Sequence, residues 1–175
     1  MLLTSDFVLR PYVTGDAPAL VTAILESTPT LAPWMPWATA QFSNGDALAW
    51  IASCEKGRAD ATCFEFAIVE RNSGMFVGGC GLNQINAMHG FCNLGYWVRQ
   101  SWQRKGAASA AIRALTDYAW TELELQRLEI VVAVGNHASL NAARKAGAFD
   151  EGIARKRIRL GRQWVDAHML SLVKP

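Results

Sequence analysis

The segment Gln103-Arg104-Lys105-Gly106-Ala107-Ala108 places a short glycine-containing turn between a strand pattern and a helix pattern. A turn that opens a helix aims several unpaired backbone N–H groups at one point, and the helix dipole adds partial positive charge there. The chemistry of such a place is anion binding, and a pyrophosphate suits it. Small residues at 106, 107 and 108 let phosphate oxygens approach the backbone, while Arg104 and Lys105 add charge at the rim. The same residues also read as an ordinary helix start with a solvated basic pair.

Other side chains could move protons. Glu65 alternates away from Phe64 and Phe66. A partly buried carboxylate there would have a raised pKa and serve as a base; a polar residue on a solvent-facing strand side has the same pattern. Asn136 and Ser139, three residues apart before an apolar helical stretch, both suit helix capping. His89 reads as a loop histidine, His137 as a residue at a helix start and His168 as part of the last strand; they are too scattered for a metal site. Cys54, Cys63, Cys80 and Cys92 form no C-x-x-C pair, which argues against zinc and redox motifs and for reduced, mostly buried thiols. Gly79-Cys80-Gly81 is no dinucleotide fingerprint, because no helix pattern opens after it.

The elements that must position these groups follow from hydrophobic periodicity. A strand over 7–12 closes at Pro11. A helix starts at Ala17 behind Asp16, and a loop from Thr30 to Trp37 is broken by Pro33 and Pro36. Its Trp34, Met35 and Trp37 either fold back on the core or line a binding surface. Ser43 caps a second helix to about Gly57. Phe64, Phe66 and Ile68 then alternate at a period of two, Asn72-Ser73-Gly74 signals a hairpin, and strands follow over 76–83 and 93–99. A helix follows Gly106, a buried strand spans 128–134, a helix starts at Asn136 and ends before Gly147, and two strands over 154–160 and 164–173 flank Gly161. The order β-α-α-β-β-β-α-β-α-β-β predicts an α/β (α+β) fold with a mixed central sheet covered by helices.

The length, 175 residues, sets one domain over 1–175, and 51% hydrophobic against 18% charged residues argues for a packed core. The net charge of +2, with basic residues spread except for a cluster from Arg155 to Arg162, gives no footprint for nucleic acid. No stretch approaches the roughly 18 apolar residues of a membrane span, and no signal-peptide pattern opens the chain. A cytoplasmic location and no membrane partner are expected.

In order along the chain, these motifs resemble the GNAT acetyltransferases, in their RimJ/RimL branch of ribosomal-protein N-terminal acetyltransferases. Gln103-x-x-Gly106-x-Ala108 is similar to the family's pyrophosphate-binding Q/R-x-x-G-x-G/A. Gly95-Tyr96-Trp97-Val98 resembles its splayed strand. Asn136-x-x-Ser139 with Gly147-Ala148-Phe149, Leu9-Arg10-Pro11, Trp34-Met35-Pro36-Trp37 and Gly161-x-x-Trp164-x-Asp166 resemble that branch. The resemblance implies a mostly antiparallel sheet of about seven strands with a V-shaped splay and about four helices. It implies acetyl-coenzyme A as co-substrate, held by residues 103–108, by Tyr96, Trp97 and Val98, and by Asn136 and Ser139. Transfer would be direct, in a ternary complex, with a backbone N–H near Tyr96 to Val98 stabilising the oxyanion. Ser139 would protonate the leaving thiolate, or act as a second cap. Where the family often has a glutamate, in E-x-G-Y, this chain has Asn93, so Glu65 or an ordered water takes the base role.

The acceptor is expected to be the N-terminal α-amine of a protein or peptide, or a small-molecule amine. A coenzyme-binding sensor without catalysis is the reading from another class, and the exposed tryptophans suit a homodimer.

Overall fold

The computed structural model describes residues 1–175. Its strands are β1 (Leu2–Leu3), β2 (Phe7–Arg10), β3 (Phe64–Glu70), β4 (Phe76–Asn86), β5 (Phe91–Val98), β6 (Arg127–Ala133), β7 (Phe149–Leu160) and β8 (Gln163–Val173). Its helices are α1 (Ala17–Leu31), α2 (Asn44–Ala59), α3 (Ala107–Thr121) and α4 (His137–Lys145). The strands form one sheet in the order β1-β2-β3-β4-β5-β6-β8-β7, antiparallel except where β5 meets β6.

The helices divide between the two faces. Ala111, Ile112, Leu115 and Ala119 of α3, with Leu140 and Ala143 of α4, pack on Phe66, Leu82, Leu94 and Ile130. On the other face Leu20, Ala23 and Ile24 of α1 and Ala47, Ile51 and Cys54 of α2 pack with Tyr12, Ala67 and Phe76. Each set recurs at three- and four-residue spacing, which brings it onto one stripe of its helix. Ser43 caps α2 with a reciprocal box: the Asp46 N–H donates to Ser43 Oγ at 3.2 Å, and the Ser43 N–H to Asp46 Oδ2 at 2.8 Å.

Parallel pairing between β5 and β6 lasts three residues, Phe91 to Asn93 against Arg127 to Glu129. Beyond Asn93 the strands part, while β6 continues along β8 to the pair Ala133–Ala167. This is the splay, and it opens a cleft inside the sheet.

The fold holds eight strands rather than about seven. The extra one, β1, is a two-residue pair with β2, too short to show a period. Helix α1 runs to Leu31, past the expected loop start at Thr30; Pro29 lacks only the N–H that would reach Leu25, so the last turn survives. Strand β7 starts at Phe149 rather than Ala154. Register shifts between Asp150 and Ile153 and between Ala154 and Ile158, with positive φ at Gly152 and Lys156, break its alternation and hide it from a period-two reading. Past Ala154 and Ala167 the β7–β8 hairpin continues without β6 as an arm, carrying Arg155, Lys156, Arg157, Arg159 and Arg162, all exposed.

Candidate functional site

The turn before α3 has a backbone geometry that suits an anion. Arg104 and Gly106 both have positive φ, 64° and 85°, so the backbone alternates handedness and turns successive N–H groups inward. The first helical bond runs from the Ala110 N–H to the Gly106 carbonyl at 3.0 Å, which leaves the N–H groups of Ala107, Ala108 and Ser109 without helical partners. A Cβ on Gly106 would meet nothing within 4 Å, so φ rather than space calls for glycine there.

The turn is anchored from behind. Gln103 points its amide inward, donating to Thr30 Oγ1 at 3.2 Å and to the Val98 carbonyl at 3.4 Å. Its side chain therefore ties the turn to α1 and β5, while Lys105 lies over the Trp102 ring at 4.4 Å and Arg104 is exposed. Arg99 pairs with Glu26 of α1 at 2.5 Å, and that guanidinium holds the carboxyl at a pKa of about 2.

The cleft at the splay has a volume of about 370 Å³ on one side of β5 and about 110 Å³ on the other, as two adjoining cavities that share Met35, Gly95 and Tyr96. The smaller lies between β5 and β6 and reaches Asn136, Ser139 and Ile158; no carboxylate lines it. Asn136 caps α4 by accepting from the Ser139 N–H at 3.2 Å. The Tyr96 hydroxyl donates to the Ser139 carbonyl at 2.8 Å and lies 2.9 Å from Ser139 Oγ. Burial pushes that phenol up to about 12. Two hydroxyls, not one, thus meet at the start of α4. The resemblance implies Tyr96 as a coenzyme contact and gives its hydroxyl no part; the aromatic type in a β5 position facing α4 is the available signal.

The larger cavity lies on the α1/α2 face. Trp37, Phe42, Trp50, Trp97 and Tyr12 wall it, with Glu65 among them. Trp37 and Met35 line the larger cavity, and Trp34 lines the smaller. Glu65 is half-buried and faces the larger cavity. Its carboxylate lies flat on β4, where a Cβ on Gly81 would sit 1.9 Å from Oε2; on the same strand a Cβ on Gly79 would sit 2.3 Å from the Tyr12 hydroxyl. The bare strand is the cavity floor.

Three strands contribute to the environment of Glu65. Asn93 Nδ2 donates to Asn83 Oδ1 at 2.9 Å, and Asn83 Nδ2 donates to Glu65 Oε1 at 3.1 Å. Burial raises the Glu65 pKa above the usual carboxylate value, opposed in smaller part by the Asn83 bond and the Arg58 charge. Asn93, at the position where a carboxylate was expected, thus lies two hydrogen bonds from one. Tyr12 and Trp50, which line the larger cavity, were not indicated by the sequence, because their proximity depends on strand register and helix packing. His89 is exposed in the turn after β4, away from both cavities, and His168 pairs with Asp150 at 3.1 Å. Cys80 is buried beneath the larger cavity, and burial pushes its thiol far above the ordinary value, which leaves it a poor nucleophile.

Residues 6–148 match the acetyltransferase (GNAT) domain family. The chain belongs to this family. YjcK of Bacillus subtilis, a probable N-acetyltransferase, is 32% identical over 115 residues, which is 64% of this chain and 62% of YjcK; the match thus spans about three fifths of that relative. A provisionally assigned ribosomal-protein-serine acetyltransferase of Vibrio cholerae is 29% identical, with a TM-score of 0.88 over 99% of this chain and 97% of its own. The same fold recurs, at 21% identity and a TM-score of 0.88 over 97% and 95% of the chains, in RimL, a ribosomal L7/L12 α-N-protein acetyltransferase, in complex with coenzyme A.

Proposed function

We propose that this protein transfers an acetyl group from acetyl-coenzyme A to a primary amine, and that the amine is the N-terminal α-amine of a protein or peptide. One observation carries the reading: two cavities of different chemistry meet across β5 at Gly95 and Tyr96, one with a half-buried carboxylate and one with paired hydroxyls. Family membership supports the reaction type, and the named activities of the Vibrio cholerae and RimL proteins support the acceptor class.

The residues present fit coenzyme A. The amides of residues 104–109 form a cradle suited to a pyrophosphate, Arg104 and Lys105 lie at its rim, and the cleft between β5 and β6 is apolar and free of acidic groups. Bound acetyl-coenzyme A supplies a thioester, whose acyl carbon forms the new C–N bond as the C–S bond breaks.

Glu65, ionised, takes the proton that the acceptor nitrogen loses, directly or through one water. Either of the two hydroxyls, Ser139 or the Tyr96 phenol 2.9 Å from its Oγ, gives a proton to the departing sulfur; solvent restores that proton, and takes the one held by Glu65, as the products leave. A backbone N–H of β5 at Tyr96 or Val98, on a strand past its pairing with β6, polarises the reacting carbonyl. Asn136 holds the first turn of α4, and with it Ser139, in place.

The test is thiol release from acetyl-coenzyme A against short peptides and small amines. Turnover on free N-termini, abolished by blocking them, is expected. Turnover confined to small amines would move the protein to the metabolite group, and tight coenzyme binding with no turnover on any amine would favour a sensor.

A further inference from the structure

The charge inventory of the larger cavity restricts what can enter it. Glu65 is its only charged lining residue. The walls are a connected aromatic set: Trp37 meets Trp97 edge-on at 6.0 Å, Phe76 bridges Trp97 and Tyr12 at 6.0 and 6.2 Å, and Tyr12 meets Trp50 edge-on at 6.5 Å. Aromatic faces attract an ammonium, and a buried carboxylate attracts it more. No arginine, lysine or histidine lines the space. The cation acting on Glu65, Arg58, is committed elsewhere: its guanidinium lies 4.6 Å from the Phe66 ring centroid and donates to the Glu65 carbonyl at 2.9 Å.

An anion beside the acceptor amine would thus be buried near Glu65 with no counter-charge. A second ammonium on the same body would find aromatic walls but no second carboxylate. The volume, about 370 Å³, is at the small end for ligand cavities, and Trp37 and Trp50, each more than two-fifths exposed, stand at its rim. One residue-sized body fits inside, with the rest of a longer acceptor passing over those two indoles.

We propose that this cavity selects a single primary ammonium on an uncharged, apolar or aromatic body whose neighbouring carboxyl is already in amide linkage. The substrate class is then polypeptides that begin with an apolar residue, and free α-amino acids, polyamines and chains beginning with Asp are rejected by charge. This rests on the assignment of the larger cavity as the acceptor site.

The experiment compares L-phenylalaninamide, a Phe-initiated tripeptide amide, L-phenylalanine, an Asp-initiated tripeptide amide and spermidine. Thiol release gives kcat/KM for each. Quenching of tryptophan fluorescence, with coenzyme A in place of the acetylated form, gives binding without turnover. The first two compounds are expected to exceed the other three by about 100-fold or more in kcat/KM, the scale of an uncompensated buried charge. They alone should quench, and Glu65→Gln should weaken their binding while leaving coenzyme A affinity unchanged. Free phenylalanine or spermidine equal to the amide, with quenching intact, would overturn the charge rule and leave the site assignment standing. Turnover without any effect of amines on the tryptophans would overturn the assignment itself, and neither turnover nor quenching with any of the five would overturn the proposal.

Discussion

Glu65 sits at the end of a two-carboxamide chain, and that arrangement sets the sign of its response to pH. Burial raises its pKa and the Asn83 bond lowers it, the first being larger. As a base it works only when ionised, so kcat/KM should rise with pH through the raised value. In Asn83→Ala the burial is less opposed, and the acid limb should move to higher pH; in Glu65→Gln the limb should reduce to that of the acceptor ammonium alone, with a loss of about 10²-fold or more. The acceptor ammonium titrates in the same profile, so all variants are compared with one acceptor. An unmoved limb in both variants would remove Glu65 from the base role. Ser139→Ala should lower kcat by a smaller factor than Tyr96→Phe/Ser139→Ala together, because each hydroxyl covers for the other at 2.9 Å. Equal losses in the single and double variants would leave Tyr96 without a part. Glu65 was readable in the sequence because strand alternation separated it from Phe64 and Phe66. Asn83 was not, since its part depends on a bond to Asn93 across β4 and β5 and on a bulge between Asn83 and Asn86, where Gln84 takes a positive φ.

At the scale of elements, the turn before α3 was the most legible part of the chain. A glycine at a strand-to-helix junction has few uses, and the positive φ of Gly106 accounts for the residue type. Gly106→Ala forces a Cβ into that conformation at a cost of about 1 kcal/mol, with no steric clash. The expected outcome is a several-fold rise in KM for acetyl-coenzyme A with little change in kcat, and unchanged amine binding by fluorescence. A fall in kcat alone would argue against a cradle role. Helix caps such as Ser43 were also legible, because the capping box is local. Strand β7 was not: two register shifts move its side chains off a period of two, and pairing with β8, a non-local event, holds it.

Across the whole molecule, the sheet sets the order of events. The two cavities open on opposite sides of β5 and share Gly95 and Tyr96, so in the proposed reaction both substrates would meet at one point while bound together. The buried Cys80 thiol offers no alternative carrier for the acetyl group. Initial rates with both substrates varied should therefore give intersecting lines, and parallel lines, the mark of a covalent intermediate, would contradict direct transfer. The splay that allows this was expected from resemblance and not from periodicity, since only the pairing of β5 with β6 fixes where it begins.

The β7–β8 arm has a kinetic meaning that its geometry does not display. Residues 155–166 hold five cationic side chains and one carboxylate, while the chain as a whole carries +2, so the remainder of the molecule is slightly negative. The arm also supplies Ile158 to the smaller cavity. The protein is thus an electric dipole with its positive pole beside the cleft, and a polyanionic substrate approaching from solution is turned toward that pole before contact. Capture then depends on the ionic strength of the medium, over a reach of about 10 Å at 0.1 M salt, although no arm cation need touch the substrate once it is bound.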